Sequence, residues 1–284
     1  MASRNPVFGR IEQEQRQGQF ATFRTEAPRS APPGDLSTGD LERMYTAPPA
    51  TTADTGRLTY DDVIMKTGIQ FVFLLAAAAV TWNYVGSLDQ DHLSRGLGIW
   101  LVSMFAAFAV GLVIAFKKTI SVPLILTYAV LEGGFVGAAS KFFDLQYGGG
   151  IVGQAVIGTL AAFAGMLIAY KVGLIKVNDK FRRIMGFALM GYFCVAMVSL
   201  VAALFGVGGG FGFYGAGPLG LLLCVAGVGL AAVTLALDFD SIDRMVAAGA
   251  PAKTAWLLGY GLVVTLVWLY IELLRLLAIL RGDN

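Results

Sequence analysis

The chain has 284 residues, 56% of them hydrophobic and 14% charged, and its mean hydropathy of +0.69 sets it apart from soluble globular domains. Its 21 basic and 19 acidic residues leave a formal net charge of +2, so the composition gives no sign of a nucleic-acid surface. The P-loop, nucleophile-elbow and HExxH patterns of soluble enzymes do not occur, and one histidine with two dispersed cysteines does not make a metal site. We therefore expect no enzymatic activity and no bound cofactor or metal.

Residues 1–60 are the first predicted region, a polar arm rich in Pro, Thr, Ser, Arg and Glu. Such a composition buries too little apolar surface to fold, so we expect the arm to be disordered. The first 31 residues contain no hydrophobic segment of a signal peptide, so the first membrane span should drive insertion. The predicted organisation is thus a disordered arm over 1–60 and a membrane domain over 61–284.

The rest of the sequence is a succession of apolar segments, each about one bilayer thick. A helix needs about 20 apolar residues to cross the hydrocarbon, where no water can satisfy an open backbone. Seven segments meet this requirement, which predicts an all-α polytopic protein embedded in the lipid bilayer. Their expected ranges are 64–85, 96–116, 120–140, 150–170, 184–205, 218–238 and 255–279.

An uncharged run of 54 residues, 184–237, is long enough for two of these spans. Glycine recurs within it over 206–217 (GVGGGFGFYGAG), and glycine loses more backbone entropy in a helix than any other residue. We place the turn between spans five and six there. Glycines elsewhere, such as Gly133 and Gly137 in span three, predict close helix packing but say nothing about the oligomeric state.

Basic residues in the short loops predict the orientation of the chain, because cytoplasmic loops carry an excess of Lys and Arg. The side that holds the N-terminus would also hold Lys117, Lys118, Lys171, Lys176, Lys180, Arg182, Arg183, Arg244 and Lys253. The opposite side would hold little beyond Arg95, Lys141 and Arg281. We expect a multi-pass protein of the cell membrane with a cytoplasmic N-terminus and an external C-terminus.

Ionisable residues inside membrane spans are costly, and they usually line a water-filled path or pair with one another. Glu132 lies in the middle of span three, where we expect a pore-facing role or a polar interior contact. Glu272 and Arg275 lie three residues apart in span seven, so they are either site residues or a local ion pair. Asp238 and Asp240 end span six, where they either belong to a site or are solvated at the membrane surface.

Two short motifs resemble those of a known family. LYIELLRLL at 269–277 is similar to the last-span signature of the transmembrane Bax inhibitor motif family, and ALDFDSI at 236–242 is similar to that family's sixth-span ending. The polar N-terminus beginning with SRNPVF, the segment YAVLEG and the loop GAPAKTAW resemble the bacterial YccA-like branch, which has a long polar N-terminus. The resemblance covers about residues 60–281.

This resemblance implies a fold in which six helices surround a central seventh, and a calcium leak controlled by paired, pH-sensing acids of spans six and seven. Motif by motif, the seventh-span acid falls on Glu272 and the sixth-span acid on Asp238, with Asp240 as the second choice. The basic residue that holds the acid pair in relatives would be Lys117 or Lys118. Arg275, which stands where the family often has Asn, is an alternative partner for Glu272.

Two carboxylates that share a low-dielectric site do not both ionise freely, and deprotonated carboxylates attract hard cations such as Ca²⁺. We therefore expect a pH-sensitive calcium leak channel, with Ca²⁺ as a transient, transported ion. The alternative is a membrane interaction protein that regulates a membrane-embedded protease or a stress response. An intramembrane aspartyl protease is disfavoured, because the sequence lacks the Gly-x-Gly-Asp opening of the second acidic helix.

Overall fold

A computed structural model describes residues 56–88, 93–148, 150–206, 212–215 and 217–282. Seven of its helices are long and apolar enough to cross a membrane, which confirms the predicted number of spans. These helices are α1 (Tyr60–Gly86), α2 (Leu93–Phe116), α3 (Val122–Tyr147), α4 (Ile151–Lys171), α5 (Asp179–Leu204), α6 (Pro218–Ala247) and α7 (Thr254–Gly282). The predicted disorder of the arm over residues 1–55 lies outside the described residues.

Polar residues at the membrane surface set where several helices begin. The Thr59 hydroxyl accepts a hydrogen bond from the backbone N–H of Asp62, whose carboxylate accepts one from the backbone N–H of Thr59, and this capping box starts α1. The side-chain oxygen of Asn178 accepts a hydrogen bond from the N–H of Phe181 at 2.8 Å and starts α5. Helices α3 and α6 carry proline in their first turn, where no N–H donor is needed.

The glycine-rich segment breaks the long apolar run between α5 and α6, as predicted. Helix α5 ends at Leu204, and Gly206 follows with a left-handed φ of 78°. That conformation strains any residue with a Cβ, so glycine is the residue suited to end the helix there. A 3₁₀ turn over Gly212–Tyr214 precedes Pro218, the first residue of α6.

Helix α7 lies at the centre of the bundle, which confirms the expected arrangement of six helices around a seventh. In its most apolar stretch 56% of the residues are buried, compared with 11% in α2 and in α5. Helix α7 packs directly against α1, α3, α4 and α6. It reaches α2 through the hydroxyl of Tyr260, which donates to the carbonyl of Gly111, and it reaches α5 through Glu272.

Small residues bring α1 and α3 into close contact. A Cβ on Gly133 would lie 2.8 Å from the Cβ of Ala77, and a Cβ on Gly137 would lie 2.9 Å from the Cα of Ala78. Such a close approach of two backbones supplies van der Waals contact, which drives helix association within a bilayer. The prediction of close packing at these two glycines is therefore confirmed.

The residues immediately before α1 pack against the connection between α6 and α7. Leu58 is only 3% exposed, and its N–H donates to the carbonyl of Ala250 at 2.7 Å. The N–H of Ala252 donates to the carbonyl of Gly56 at 2.9 Å. Residues 56–59 therefore pack against the bundle at this end. We call the end of the bundle where α1 begins the N-terminal end, and the opposite end the C-terminal end.

Candidate functional site

Glu272 lies on α7 in a buried polar cluster and is 5% exposed. Its carboxylate accepts three hydrogen bonds from nitrogen and oxygen donors: from the guanidinium of Arg275 at 2.8 Å, from the hydroxyl of Tyr192 at 2.6 Å and from the indole N–H of Trp268 at 3.2 Å. A longer one comes from the Cys224 thiol at 3.6 Å. Tyr192 belongs to α5, whereas Trp268 and Arg275 lie one turn before and after Glu272 on α7. The carboxylate is thus neutralised by its own helix and also joined to α5.

The opposing helix, α6, leaves room for this cluster through small residues. A Cβ on Gly227 would lie 2.7 Å from the carboxyl carbon of Glu272, so glycine allows the acid to fit there. The Cys224 thiol donates to the backbone carbonyl of Glu272 at 3.3 Å. Arg275 in turn stacks over the ring of Tyr214 at 4.2 Å, in the 3₁₀ turn before α6.

The pairing of Glu272 with Arg275 was one of two alternatives left open by the sequence, and the structure confirms it. A buried ion pair is costly to break from one side, because the remaining charge is left uncompensated. The hydrogen bonds from Tyr192 and Trp268 also satisfy lone pairs that burial would otherwise leave open. The cluster therefore resembles a structural contact, in which the carboxylate of Glu272 is held in place by its hydrogen-bond donors.

Asp238 lies in a different environment, on the part of α6 that faces α7 near Thr265. One of its carboxylate oxygens would be 3.9 Å from a Cβ on Gly261. The other oxygen, Oδ2, is buried and has no hydrogen-bond partner among the described residues. No ion pair joins Asp238 to any part of the chain that the structure describes. Asp238 is thus an acid within a membrane span whose charge no neighbouring side chain balances.

The structure does not bring Asp238 and Glu272 together, so the predicted acid pair is not formed. Glu272 contacts α6 at Cys224 and Gly227, and Gly227 precedes Asp238 by 11 positions, about 16 Å along a helix. The physical reason is the register of α6 against α7. Helix α6 continues to Ala247 beyond its predicted end, so Asp238 lies opposite the first half of α7 rather than the second.

Asp240, the second choice for the pair, is 8% exposed and forms ion pairs with Arg182 of α5 and Arg244 of α6. The distance from Arg244 is 3.1 Å. Asp240 is therefore not a solvated surface acid, as one interpretation of the sequence had it, but a contact between two helices. Nearby, Asp243 accepts hydrogen bonds from Tyr60 at 3.0 Å and from Tyr170 at 2.8 Å, which join α1 and α4 to the same end of α6.

Three of the four supporting residues proposed from the sequence, all except Arg275, lie away from Asp238 and Glu272. Glu132 is partly buried on α3 beside the hydroxyl of Tyr128, whose ring contacts that of Tyr260 on α7 at 4.8 Å between centroids. Lys117 and Lys118 are exposed in the α2–α3 connection, and no described contact joins them to Asp238 or Glu272. The basic residues that pair with acids here are arginines rather than the lysines expected from the sequence. They are Arg275 beside Glu272, and Arg182 and Arg244 beside Asp240.

Tyr192, Gly227 and Arg182 are site residues that the sequence analysis did not identify. A tyrosine within an apolar span is a weak signal, since its ring alone accounts for its presence in a membrane helix. Arg182 entered the sequence analysis only as a basic residue that indicates orientation. Among the described residues, no three or more His, Cys, Asp or Glu side chains are grouped closely enough to hold a metal ion.

The seven-span bundle, which has α7 at its centre and acids on α6 and α7, can be compared with known proteins. A family model described as Bax inhibitor 1 like matches residues 5–282, nearly the whole chain. The chain belongs to the Bax inhibitor 1 like family. Membership and the seven apolar helices together identify a multi-pass membrane protein.

One relative of this family member is an uncharacterized protein of Chlamydia muridarum (strain MoPn / Nigg), with 35% identity over 112 residues. The match covers 38% of the present chain and 47% of the relative, so the chain spans about half the length of the protein that it matches. That similarity is partial and adds no information about activity.

Proposed function

We propose that this Bax inhibitor 1 like protein is a pH-sensitive cation leak channel that passes Ca²⁺ across the cell membrane, with Asp238 as its proton-sensing acid. One observation carries the proposal. Asp238 lies inside a membrane span beside the central helix, and no basic side chain among the described residues balances its charge. Acids of this kind, at membrane depth and without a partner, are typical of ion paths and proton relays.

The contrast with Glu272 supports the assignment of proton sensing to Asp238. A carboxylate beside a guanidinium keeps its charge more readily than a carboxylate that has no cationic neighbour. Glu272 has the guanidinium of Arg275 beside it, whereas Asp238 has only the polar side chain of Thr265 close by. Uptake of a proton by Asp238 removes a negative charge from the contact between α6 and α7. The loss of this charge changes both the electrostatic repulsion at the contact and its hydration.

The sign and chemistry of the buried groups favour a cation as the transported species. Buried or half-buried acids within the spans include Glu132, Asp238, Asp240 and Glu272. Carboxylate oxygens are the ligands that Ca²⁺ prefers, and conduction requires contacts weak enough to release the ion. Single acids at separate depths meet both requirements better than one tight cluster.

The distribution of exposed basic residues supports a cytoplasmic N-terminal end. Exposed lysines and arginines at that end are Lys117, Lys118, Lys171, Lys176, Lys180, Arg183, Arg244 and Lys253. Such an excess is characteristic of cytoplasmic loops. A reporter fused before residue 1 should therefore report the cytoplasm, and one fused after residue 284 the exterior. Reporters that place both termini on one side of the membrane would contradict the seven-span topology.

The leak is tested with the purified full-length protein in liposomes, by measuring Ca²⁺ flux as a function of pH. We expect the flux of the wild type to change steeply between about pH 5 and 8, because protonation of a buried acid without a cationic partner removes its charge. Asp238→Asn should flatten this dependence, since the amide resembles the protonated acid in shape. Asp144→Asn is the matched control, because Asp144 is paired with Lys141 outside this site, and it should leave the pH profile unchanged.

A pH profile identical to that of the wild type in a folded Asp238→Asn variant would contradict the proposal. The interaction-protein alternative, with a membrane protease as its partner, would then be the better account of the chain.

A further inference from the structure

Helix α5 is loosely packed in comparison with the rest of the bundle. Of its residues whose side chains the structure describes, two are buried, Met185 and Ser199. Large apolar side chains cover its opposite side, and these are Ile184, Phe187, Met190, Val198 and Val201, all at least half exposed. A Cβ built on Gly186 or on Gly191 meets no atom within 4 Å. Little buried apolar surface therefore resists displacement of this helix.

The inner face of α5, which consists of Arg182, Met185, Tyr192 and Ser199, makes the contacts that hold the helix in place. These residues are spaced by three, seven and seven positions, so they lie on one side of the helix. Arg182 pairs with Asp240, and Tyr192 donates to Glu272 at 2.6 Å. Further along, the Ser199 hydroxyl accepts a hydrogen bond from the N–H of Phe213 at 3.0 Å.

The first two contacts have a feature in common, because in each of them a side chain of α5 bonds to an acid of another helix. Arg182 bonds to Asp240 near the N-terminal end of the bundle, and Tyr192 bonds to Glu272 opposite Gly227. Gly227 precedes Asp240 by 13 positions, which is about 20 Å along α6. Most of the thickness of the hydrocarbon therefore lies between the two acids, and Met185 is the inner-face residue between their partners on α5.

We propose that α5 is a movable wall of the cation path, and that Arg182 and Tyr192 hold this wall closed by occupying Asp240 and Glu272. Displacement of α5 exposes both carboxylates to water and offers oxygen ligands to a hydrated cation at two depths. Tyr192 acts as a positioning residue in this arrangement, because it contacts the acid rather than the ion path itself. The inference rests on the proposed leak function for its role, but the movement of α5 can be measured separately.

The movement is tested by the reaction of Met185→Cys with a positively charged, water-soluble thiosulfonate reagent, in full-length protein reconstituted in liposomes. The exposed Cys194 is first replaced by Ser, and the reaction of the same protein without Met185→Cys is subtracted as the background of Cys224, whose thiol lies beside Glu272. Met185 is 7% exposed, so its substituted thiol should react slowly in the otherwise native protein. Adding Tyr192→Phe, which removes one hydroxyl and keeps the ring, should raise the rate roughly tenfold, the size expected for a hydrogen bond to a charged group.

Two controls separate an aqueous opening from a general loosening of the protein. Tyr170→Phe removes a matched hydroxyl-to-carboxylate contact, with Asp243, and should leave the reactivity of Met185→Cys unchanged. Met190→Cys lies on the lipid-facing side of α5 and should stay unreactive in the Tyr192→Phe background, since no water reaches it there. Arg182→Gln, which cuts the other contact of the inner face, should raise the reactivity of Met185→Cys as Tyr192→Phe does.

The Ca²⁺ leak, measured at one fixed pH in the same liposomes, should rise together with the thiol reactivity. Equal reactivity of Met185→Cys with and without Tyr192→Phe and Arg182→Gln would overturn the assignment of α5 as a movable wall, whatever the flux shows. Increased reactivity without Ca²⁺ flux in any variant would contradict the proposed leak function instead, and would support the movement of α5.

Discussion

Glu272 and Asp238 are two acids inside the same bundle, and their surroundings differ in almost every respect. Glu272 has a guanidinium partner, two further hydrogen-bond donors and a glycine that makes room for it. Asp238 has no ion pair and one buried oxygen without a partner, within the described residues. The comparison teaches that an acid in a membrane span is not by itself a sign of function, because its neighbours decide whether its charge is fixed or free to change.

The largest effect is expected at the fixed charge. Arg275→Met should leave Glu272 buried and uncompensated, and should lower the free energy of unfolding by about 3–5 kcal/mol. Thermal unfolding in detergent measures the loss. Arg244→Met is the control, because its side chain is 49% exposed and exposed ion pairs contribute about 1 kcal/mol or less. The double substitution of Glu272→Gln with Arg275→Met should recover most of the stability, and a double variant as unstable as Arg275→Met alone would argue against the pair.

A smaller loss is expected near the other acid, where the C-terminal end of α6 contacts residues 56–59. Leu58 packs with Ile242 and Val246, just beyond Asp238. Leu58→Ala should therefore lower the free energy of unfolding by about 2 kcal/mol or more, which thermal unfolding can check. Leu174→Ala, at a position 79% exposed, is the matched control and should change little. Equal behaviour of the two variants would mean that residues 56–59 do not stabilise this end of the bundle.

The space around Glu272 should also be sensitive to a single methyl group. Gly227→Ala should cost about 1–3 kcal/mol, because its Cβ would meet the carboxyl group of Glu272 and overpack the cluster. Gly229→Ala, two residues away, meets no atom within 4 Å and should be neutral or slightly stabilising, since alanine favours helix more than glycine does. A neutral result for Gly227→Ala would show that the cluster is less closely packed than the contact distances indicate.

Much of this architecture could be predicted from the sequence because its causes are local. Span length, the glycines of 206–217 and the i,i+3 spacing of Glu272 and Arg275 each depend on residues that are close together in the chain. The prediction that failed, the meeting of Asp238 with Glu272, depends on how far α6 slides along α7. Nothing in a local pattern determines that register.

The remaining contacts could not be predicted for a related reason. Tyr192 reaches Glu272 because α5 lies beside α7 at that depth, and the order of helices around the bundle is a property of tertiary packing. Leu58 lies in a polar segment whose composition predicts disorder, yet one buried leucine and two backbone hydrogen bonds hold it against the α6–α7 connection. Single anchoring residues of this kind are hidden by the average composition around them.

The central claim is that Asp238 is the acid that changes protonation, and infrared difference spectroscopy of the carboxylic-acid band tests it most directly. Spectra of the reconstituted protein are compared between about pH 8 and about pH 5, a range in which exposed acids stay mostly ionised because they titrate near pH 4. All proteins carry Glu132→Gln, because Glu132 is a second partly buried acid without an ion pair among the described residues. In this background the account predicts a protonated-carboxyl band that is absent in Asp238→Asn and present in the Glu272→Gln, Arg275→Met double variant. A band that persists in Asp238→Asn and disappears in the double variant would contradict it.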